Sequence, residues 1–251
     1  MPTGVAVRPA AVADGAMSVA VGAGHEDNGD GRPRVGVLAI QGDVAEHMAA
    51  LTRSGAIAIA VRRPADLEAL DGIILPGGES TAIGMIARED GVIDVLRRYV
   101  EHGGAVWGTC AGMILLARDA GHAQPLVGGL DVAVERNAFG PQVNSFETDL
   151  DIASLPGGPF RAVFIRAPAI TSAGAGVQVL AALDDGRIVA VRQGRLLATA
   201  FHPELTGDDR LHRWFVELCR VRSVDGTAVD DAPGRSPVST AAAHAERAVR
   251  A

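Results

Sequence analysis

Between Val35 and Arg118, short apolar runs that end in turn signals alternate with helix-patterned segments. Few folds accommodate that alternation. Strands joined through helices lie parallel in one sheet, with right-handed crossovers covering it. The runs Val35-Gly-Val-Leu-Ala-Ile40, 56–61, Gly72-Ile-Ile-Leu75 and Ala105-Val106-Trp107 predict buried parallel strands. Helices are predicted from Asp43 to about Arg53, over 80–88 and 91–102, and from Ala111 to about Arg118. Asp43 and Glu46 form a capping-box-like pair for the first helix.

The pattern then changes. Runs at 131–135, 145–151, 161–166, 178–183, 187–192 and 195–201 are short and strand-like. They predict an antiparallel extension that returns to the central sheet near 196–201. The last helix places Leu211, Trp214, Phe215, Leu218 and Cys219 on one face, which makes Cys219 a core residue. The expected fold is α/β: a mostly parallel, doubly wound, flavodoxin-like sheet with helices on both faces and an antiparallel extension.

Residues 1–33 and 221–251 contain no Leu, Ile, Phe, Tyr or Trp. Such segments bury too little apolar surface to offset chain entropy, so both are expected to be disordered tails around a domain at 34–220. The first tail has neither the basic start nor the Leu-rich run of a secretory signal, and Met17 offers an alternative start. A net charge of −7 and a pI near 5.5 argue against nucleic acid or an anionic membrane as partner. No apolar run is long enough to span a bilayer. Two cysteines, Cys110 and Cys219, make neither a disulfide framework nor a zinc finger, so a reducing, cytoplasmic setting is expected. All 23 basic residues are arginine. The absence of lysine excludes Schiff-base chemistry and a Walker-type phosphate lysine.

Three segments carry chemistry. Gly108-Thr109-Cys110-Ala111-Gly112 follows a strand and opens a helix, the context of a nucleophile elbow with cysteine as the nucleophile. A helix N-terminus favours a thiolate there. The same pentapeptide also fits a small buried cysteine between packing glycines. Phe201-His202-Pro203-Glu204 follows an apolar strand. His202 and Glu204, two apart in extended chain, project to one side, where a carboxylate can orient an imidazole; a surface histidine before a helix start is the alternative. A metal site is not expected, since His-x-Glu and one distant Cys are too few ligands. Leu75-Pro76-Gly77-Gly78-Glu79-Ser80-Thr81 leaves backbone N–H groups free for an oxyanion, with Ser80 as a cap for the next helix. All three lie at strand C-terminal ends, where open α/β sheets gather their sites.

With these segments in view, the chain resembles class I (triad) glutamine amidotransferases. It is most similar to the glutaminase subunit of pyridoxal 5′-phosphate synthase, the PdxT/SNO family. The matching segments are Gly36–Gly42 with Glu46-His47, Leu75–Thr81, Gly108–Gly112, Val134–Asn137 with Phe139-Gly140, Ser145-Phe146, Phe164–Pro168 and Phe201–Thr206. They span essentially all of 34–220. The elbow and His-Pro-Glu are shared by many triad glutaminases, whereas Gly-Glu-Ser-Thr, Glu-Arg-Asn and Phe-Ile-Arg-Ala-Pro point to the subfamily.

The resemblance implies a catalytic triad of Cys110, His202 and Glu204, with Gly78 and Ala111 donating to the oxyanion. It implies glutamine binding by Gly78, Glu79, Ser80, Arg136, Ile165 and Arg166, with Gln41 near the partner interface. His47 is assigned to packing or interface and left out of the triad. The implied activity is hydrolysis of L-glutamine to L-glutamate and ammonia through a glutamyl thioester, with no cofactor and no metal. Ammonia would pass to a synthase subunit that makes pyridoxal 5′-phosphate from ribose 5-phosphate and glyceraldehyde 3-phosphate, in a complex of twelve plus twelve subunits. That subunit's lysines supply the imine chemistry that this chain lacks. The competing readings are a triad glutaminase serving another acceptor, a related Cys-elbow hydrolase or chaperone-like protein, and a non-catalytic interaction module of the same fold.

Overall fold

The computed structural model describes residues 31–140 and 145–220. The tail expectations for residues 1–30 and 221–251 lie outside the described residues. The first half runs β1 (Arg34–Leu38), α1 (Val44–Arg53), β2 (Ile57–Val61), β3 (Gly72–Leu75), α2 (Ser80–Glu89), α3 (Val92–Glu101), β4 (Ala105–Thr109) and α4 (Ala111–Leu116). The second half runs β5 (Ala117–Asp119), β6 (Leu130–Glu135), β7 (Ser145–Leu150), β8 (Phe160–Ile165), β9 (Ala169–Ala173), β10 (Gln178–Ala182), β11 (Ile188–Gln193), β12 (Leu196–Thr199) and α5 (Arg210–Arg220).

Among the described residues one sheet has the order β2-β1-β3-β4-β12-β11-β9-β6-β5, with β10 added on β11. β2, β1, β3, β4 and β12 are mutually parallel. β11 pairs antiparallel with both β12 and β9, and β9 antiparallel with β6, which forms the expected extension. β7 and β8 form a separate antiparallel pair.

Adjacent residues of β4 show how both faces are covered. Trp107 is fully buried, with ring centroids 5.0 Å from His212 and 5.6 Å from Phe215, both on α5. Its neighbour Gly108 faces α4, where a Cβ would stand 2.4 Å from the Gly112 carbonyl carbon. Alternation along a strand therefore puts α5 and α4 on opposite faces. α1 packs with α5 on the first face, and α2 packs with α3 and α4 on the other. Cys219 is 2% exposed, in the core as its helical spacing implies.

Several local expectations are corrected. Asp43 precedes α1 but makes no side-chain cap bond; its carboxylate turns toward His202 instead. Ser80 does not cap α2. Glu79 does, accepting from the N–H groups of Thr81 and Ala82, while Ser80 Oγ turns inward to Gln124 Oε1 at 3.1 Å. The α4 helix stops at Leu116, short of Arg118, because Ala117 adopts extended backbone and 117–119 pair with β6. β5 and β9 were not expected: β5 spans three residues, too few to show a period, and β9 is rich in small residues that give little periodic signal.

Candidate active site

The C-terminal ends of β3, β4 and β12 converge on one cavity of ≈ 570 Å³. Cys110 caps α4 with φ +47° and ψ −106°, a conformation that L side chains rarely adopt. Its N–H donates to Thr199 O at 2.8 Å, tying the elbow to β12. The glycines make this turn feasible: a Cβ on Gly112 would stand 1.8 Å from Leu75 O. The thiol is 7% exposed, with Sγ 3.9 Å from the Ile165 carbonyl oxygen.

His202 leaves the end of β12 and is held from two sides. Its N–H donates to Val163 O on β8 at 2.8 Å. Phe201, beside it, packs on Phe160 and Phe164, and Phe164 stacks on Phe146 with centroids 4.5 Å apart. The aromatic residues of this aromatic-poor chain thus fix β7 and β8 against the strand end that carries the imidazole. Nδ1 of His202 lies 2.7 Å from Glu204 Oε1 and 3.3 Å from Asp43 Oδ2. That leaves Nε2 for the cavity and the thiol.

Burial opposes a charge on His202. Hydrogen bonds and charge from Cys110 and Glu204 outweigh it and push the imidazole up to about 10. Glu204 is pulled both ways: burial pushes its carboxyl up, and the His202 imidazole holds it down. With both side chains buried and 2.7 Å apart, the charged pair is the state the geometry favours. Asp43, His202 and Glu204 also place donor atoms within 4.8 Å of one another, a grouping of metal-ligand type. The imidazole–carboxylate bond already accounts for that closeness.

The anticipated residues fall together. Gln41, Gly78, Glu79, Ser80, Cys110, Ala111, Arg136, Ile165, Arg166 and His202 all line the cavity. Glu204 sits behind His202, 6% exposed. Ala111 is the first residue of α4, so its N–H has no acceptor within the helix. Gly78 has φ +135°, and the next N–H, of Glu79, donates to Gln41 Oε1 at 3.1 Å. Gln41 thereby clamps the glycine turn. Arg136 is spoken for within the chain: its guanidinium reaches Glu79 Oε1 at 2.7 Å, Thr81 Oγ1 at 3.0 Å and His122 Nε2 at 3.0 Å. Partial burial pushes the Glu79 carboxyl up, but the N–H groups of Ala82 and Thr81 and the Arg136 guanidinium hold it at about 2. Arg166 is exposed at the rim with φ +44°.

Sequence reasoning missed Asp43, Ile114, Asn137 and Pro168, which also line the cavity. Asn137 adopts φ +50°, a conformation that asparagine tolerates better than most residues, and its residue type is the signal the sequence offers. Chemically, the site offers a thiol at a helix N-terminus, a charged imidazole backed by a buried carboxylate, and backbone N–H groups beside the thiol.

Residues 37–221 match the SNO glutamine amidotransferase family. A protein of Nocardia farcinica named pyridoxal 5′-phosphate synthase subunit PdxT is 57% identical over 196 residues, covering 75% of this chain and 87% of its own. One of the same name from a Parafrankia species is 59% identical over 191 residues, covering 75% and 94%. A solved structure described as a glutamine amidotransferase superposes with a TM-score of 0.71 at 55% identity, over 74% of this chain and 99% of that one.

Proposed function

The chain belongs to the SNO glutamine amidotransferase family, and on that premise we propose that it is the glutaminase subunit of a pyridoxal 5′-phosphate synthase. It hydrolyses L-glutamine and hands ammonia to a synthase subunit. The observation that carries this reading is the buried His202–Glu204 pair at 2.7 Å, facing a strained Cys110 across one cavity.

The residues divide the work. The Cys110 thiolate attacks the side-chain amide carbon of glutamine, and the carbonyl oxygen becomes an oxyanion. The N–H groups of Gly78 and Ala111 receive it; losing one such donor costs about 10²–10³ in rate. His202 donates its Nε2 proton to the amide nitrogen, the C–N bond breaks and ammonia leaves. A thioester remains. His202, now neutral, takes a proton from water, which attacks the thioester and expels the thiolate with glutamate as product. Glu204 keeps the imidazole oriented throughout. Glu79, Ser80, Arg136, Ile165 and Arg166 hold the amino-acid end of the substrate.

Lacking lysine, the chain makes no imine with a sugar phosphate. Its part ends at ammonia, and its working form is a complex with the synthase, of twelve plus twelve subunits, in the cytoplasm. Among the described residues no helix is long and apolar enough to cross a membrane. The test is glutamate release from glutamine with and without the synthase subunit of the same organism, beside Cys110→Ala. Release that the synthase stimulates and the substitution abolishes is the expected result. Release that persists in Cys110→Ala refutes the thioester route.

A further inference from the structure

Behind the triad lies a second, fully buried pair of imidazoles that the proposed chemistry does not use. His47, on α1, and His212, on α5, are both 0% exposed. His47 Nδ1 is 3.0 Å from His212 Nε2. On its other side, His47 Nε2 is 3.2 Å from Thr109 Oγ1 and 3.3 Å from Glu204 Oε2. That second carboxylate oxygen is buried and accepts no well-aligned hydrogen bond.

The tautomers follow from elimination. If His47 carried its proton on Nδ1, His212 would accept it at Nε2 and carry its own proton on Nδ1. His212 Nδ1 is buried with no partner, so a donor would be orphaned there. The bare Nε2 of His47 would also face a carboxylate oxygen, lone pair against lone pair. The opposite arrangement removes the lone-pair clash and leaves a bare acceptor, not a donor, at His212 Nδ1, the smaller cost. His212 donates Nε2–H to His47 Nδ1, and His47 donates Nε2–H to Thr109 Oγ1 at 3.2 Å, with Glu204 Oε2 alongside at 3.3 Å, close enough to feel the N–H dipole. Burial and the neighbouring His212 and His202 hold His47 well below its usual range, so it points a neutral dipole, not a charge, at the carboxylate.

We infer that His47 is a positioning residue of the glutaminase: its Nε2–H, fixed by His212, stabilises the ionised Glu204 that orients His202. This rests on the triad reading above. The charged and titratable groups around the carboxylate are His202, Asp43 and His47; beyond His212 stand Asp209 and Arg53. Asp43 works against ionisation of Glu204, which gives the His47 dipole something to offset.

The test compares His47→Leu with His47→Gln, whose amide N–H can occupy the Nε2 position. Glutamate release by the full chain in complex with its synthase is followed from pH 5 to 9. His47→Leu is expected to lower kcat several-fold, the effect of removing an N–H dipole from beside a buried carboxylate, with KM little changed. The acid limb of its profile moves to higher pH, and His47→Gln moves it back. A His47→Leu profile that superimposes on the parent overturns the inference. So does equal impairment of both variants with no movement of the limb, which would mark a packing role.

A direct readout needs no variant. ¹⁵N-histidine NMR of the full chain should show His47 neutral and protonated at Nε2 at pH 7, and an Nδ1–H tautomer refutes the assignment. Cys110→Ala separates the two layers: if it keeps glutamate release, the triad reading fails, while the tautomer measurement still decides the His47 assignment.

Discussion

Gly77 packs directly against His202: a Cβ on this glycine would stand 2.5 Å from the imidazole Cε1 and 3.1 Å from Nδ1. The missing methyl lets the turn after β3 lie flat on the ring. Gly77→Ala therefore displaces the imidazole from both Glu204 and the thiol. Displacements on the ångström scale at reacting groups cost about 10²-fold in rate. The expected variant folds with a melting temperature close to the parent and loses about two orders of magnitude in synthase-stimulated kcat. Full activity would show that the ring has room to move.

Gly112 meets a harder obstacle. Its Cβ would collide with the carbonyl oxygen of Leu75, backbone on backbone, where no side chain can yield. Gly112→Ala is expected to separate α4 from β3 and destabilise the whole domain, by on the order of 3 kcal/mol or more. Urea denaturation followed by circular dichroism measures it. A midpoint within error of the parent contradicts the contact.

Arg136 and Glu79 are predicted to act on binding more than on turnover. Arg136→Ala leaves the Glu79 carboxylate capping α2 but removes the cation beside it. KM for glutamine should rise roughly 10-fold, with kcat within about threefold of the parent. Steady-state kinetics of the complex decides this; a selective fall in kcat would place the guanidinium at the reacting centre instead.

The buried histidines make the fold acid-sensitive. His212 is pushed down to about 4 by burial, and His47 also lies well below its usual range. The unfolded chain therefore binds more protons than the folded one below about pH 6.5, so stability falls as pH falls through that value. For His212 the loss levels off near its folded value of about 4. His202 behaves oppositely: raised to about 10, it contributes stability that is fully present below about pH 6.5 and is lost as pH climbs toward 10. Between pH 6.5 and 4.5 its contribution is flat. Denaturation midpoints at pH 7, 6 and 5 should decline steadily. A flat series would mean that the pair is solvated or already charged.

The sequence made the local devices legible and left the distant ones obscure. The elbow at Cys110 is written within five residues, because strand end, tight turn and helix start are contiguous. The His202–Glu204 pair needed only strand periodicity. Asp43 was misread because a carboxylate before a helix has a local use, capping, and nothing nearby reveals that His202 competes for it. His47 and His212 are 165 residues apart in sequence, and their contact exists only once α1 and α5 share a face of the sheet. Ser80 and Glu79 differ by one position, and backbone geometry, not residue type, chose the longer carboxylate as cap.

The strand order carries a consequence for how the thiol becomes reactive. Cys110 and the N–H groups of Gly78 and Ala111 belong to the first half of the chain, but His202 follows β12, the last strand among the described residues, which inserts between β4 and β11. A ribosome-bound or partly assembled chain that has closed β1, β3 and β4 holds Cys110 without an imidazole beside it. The imidazole reaches the thiol only when β12 lies beside β4, so alkylation of Cys110 at neutral pH is expected to report insertion of β12.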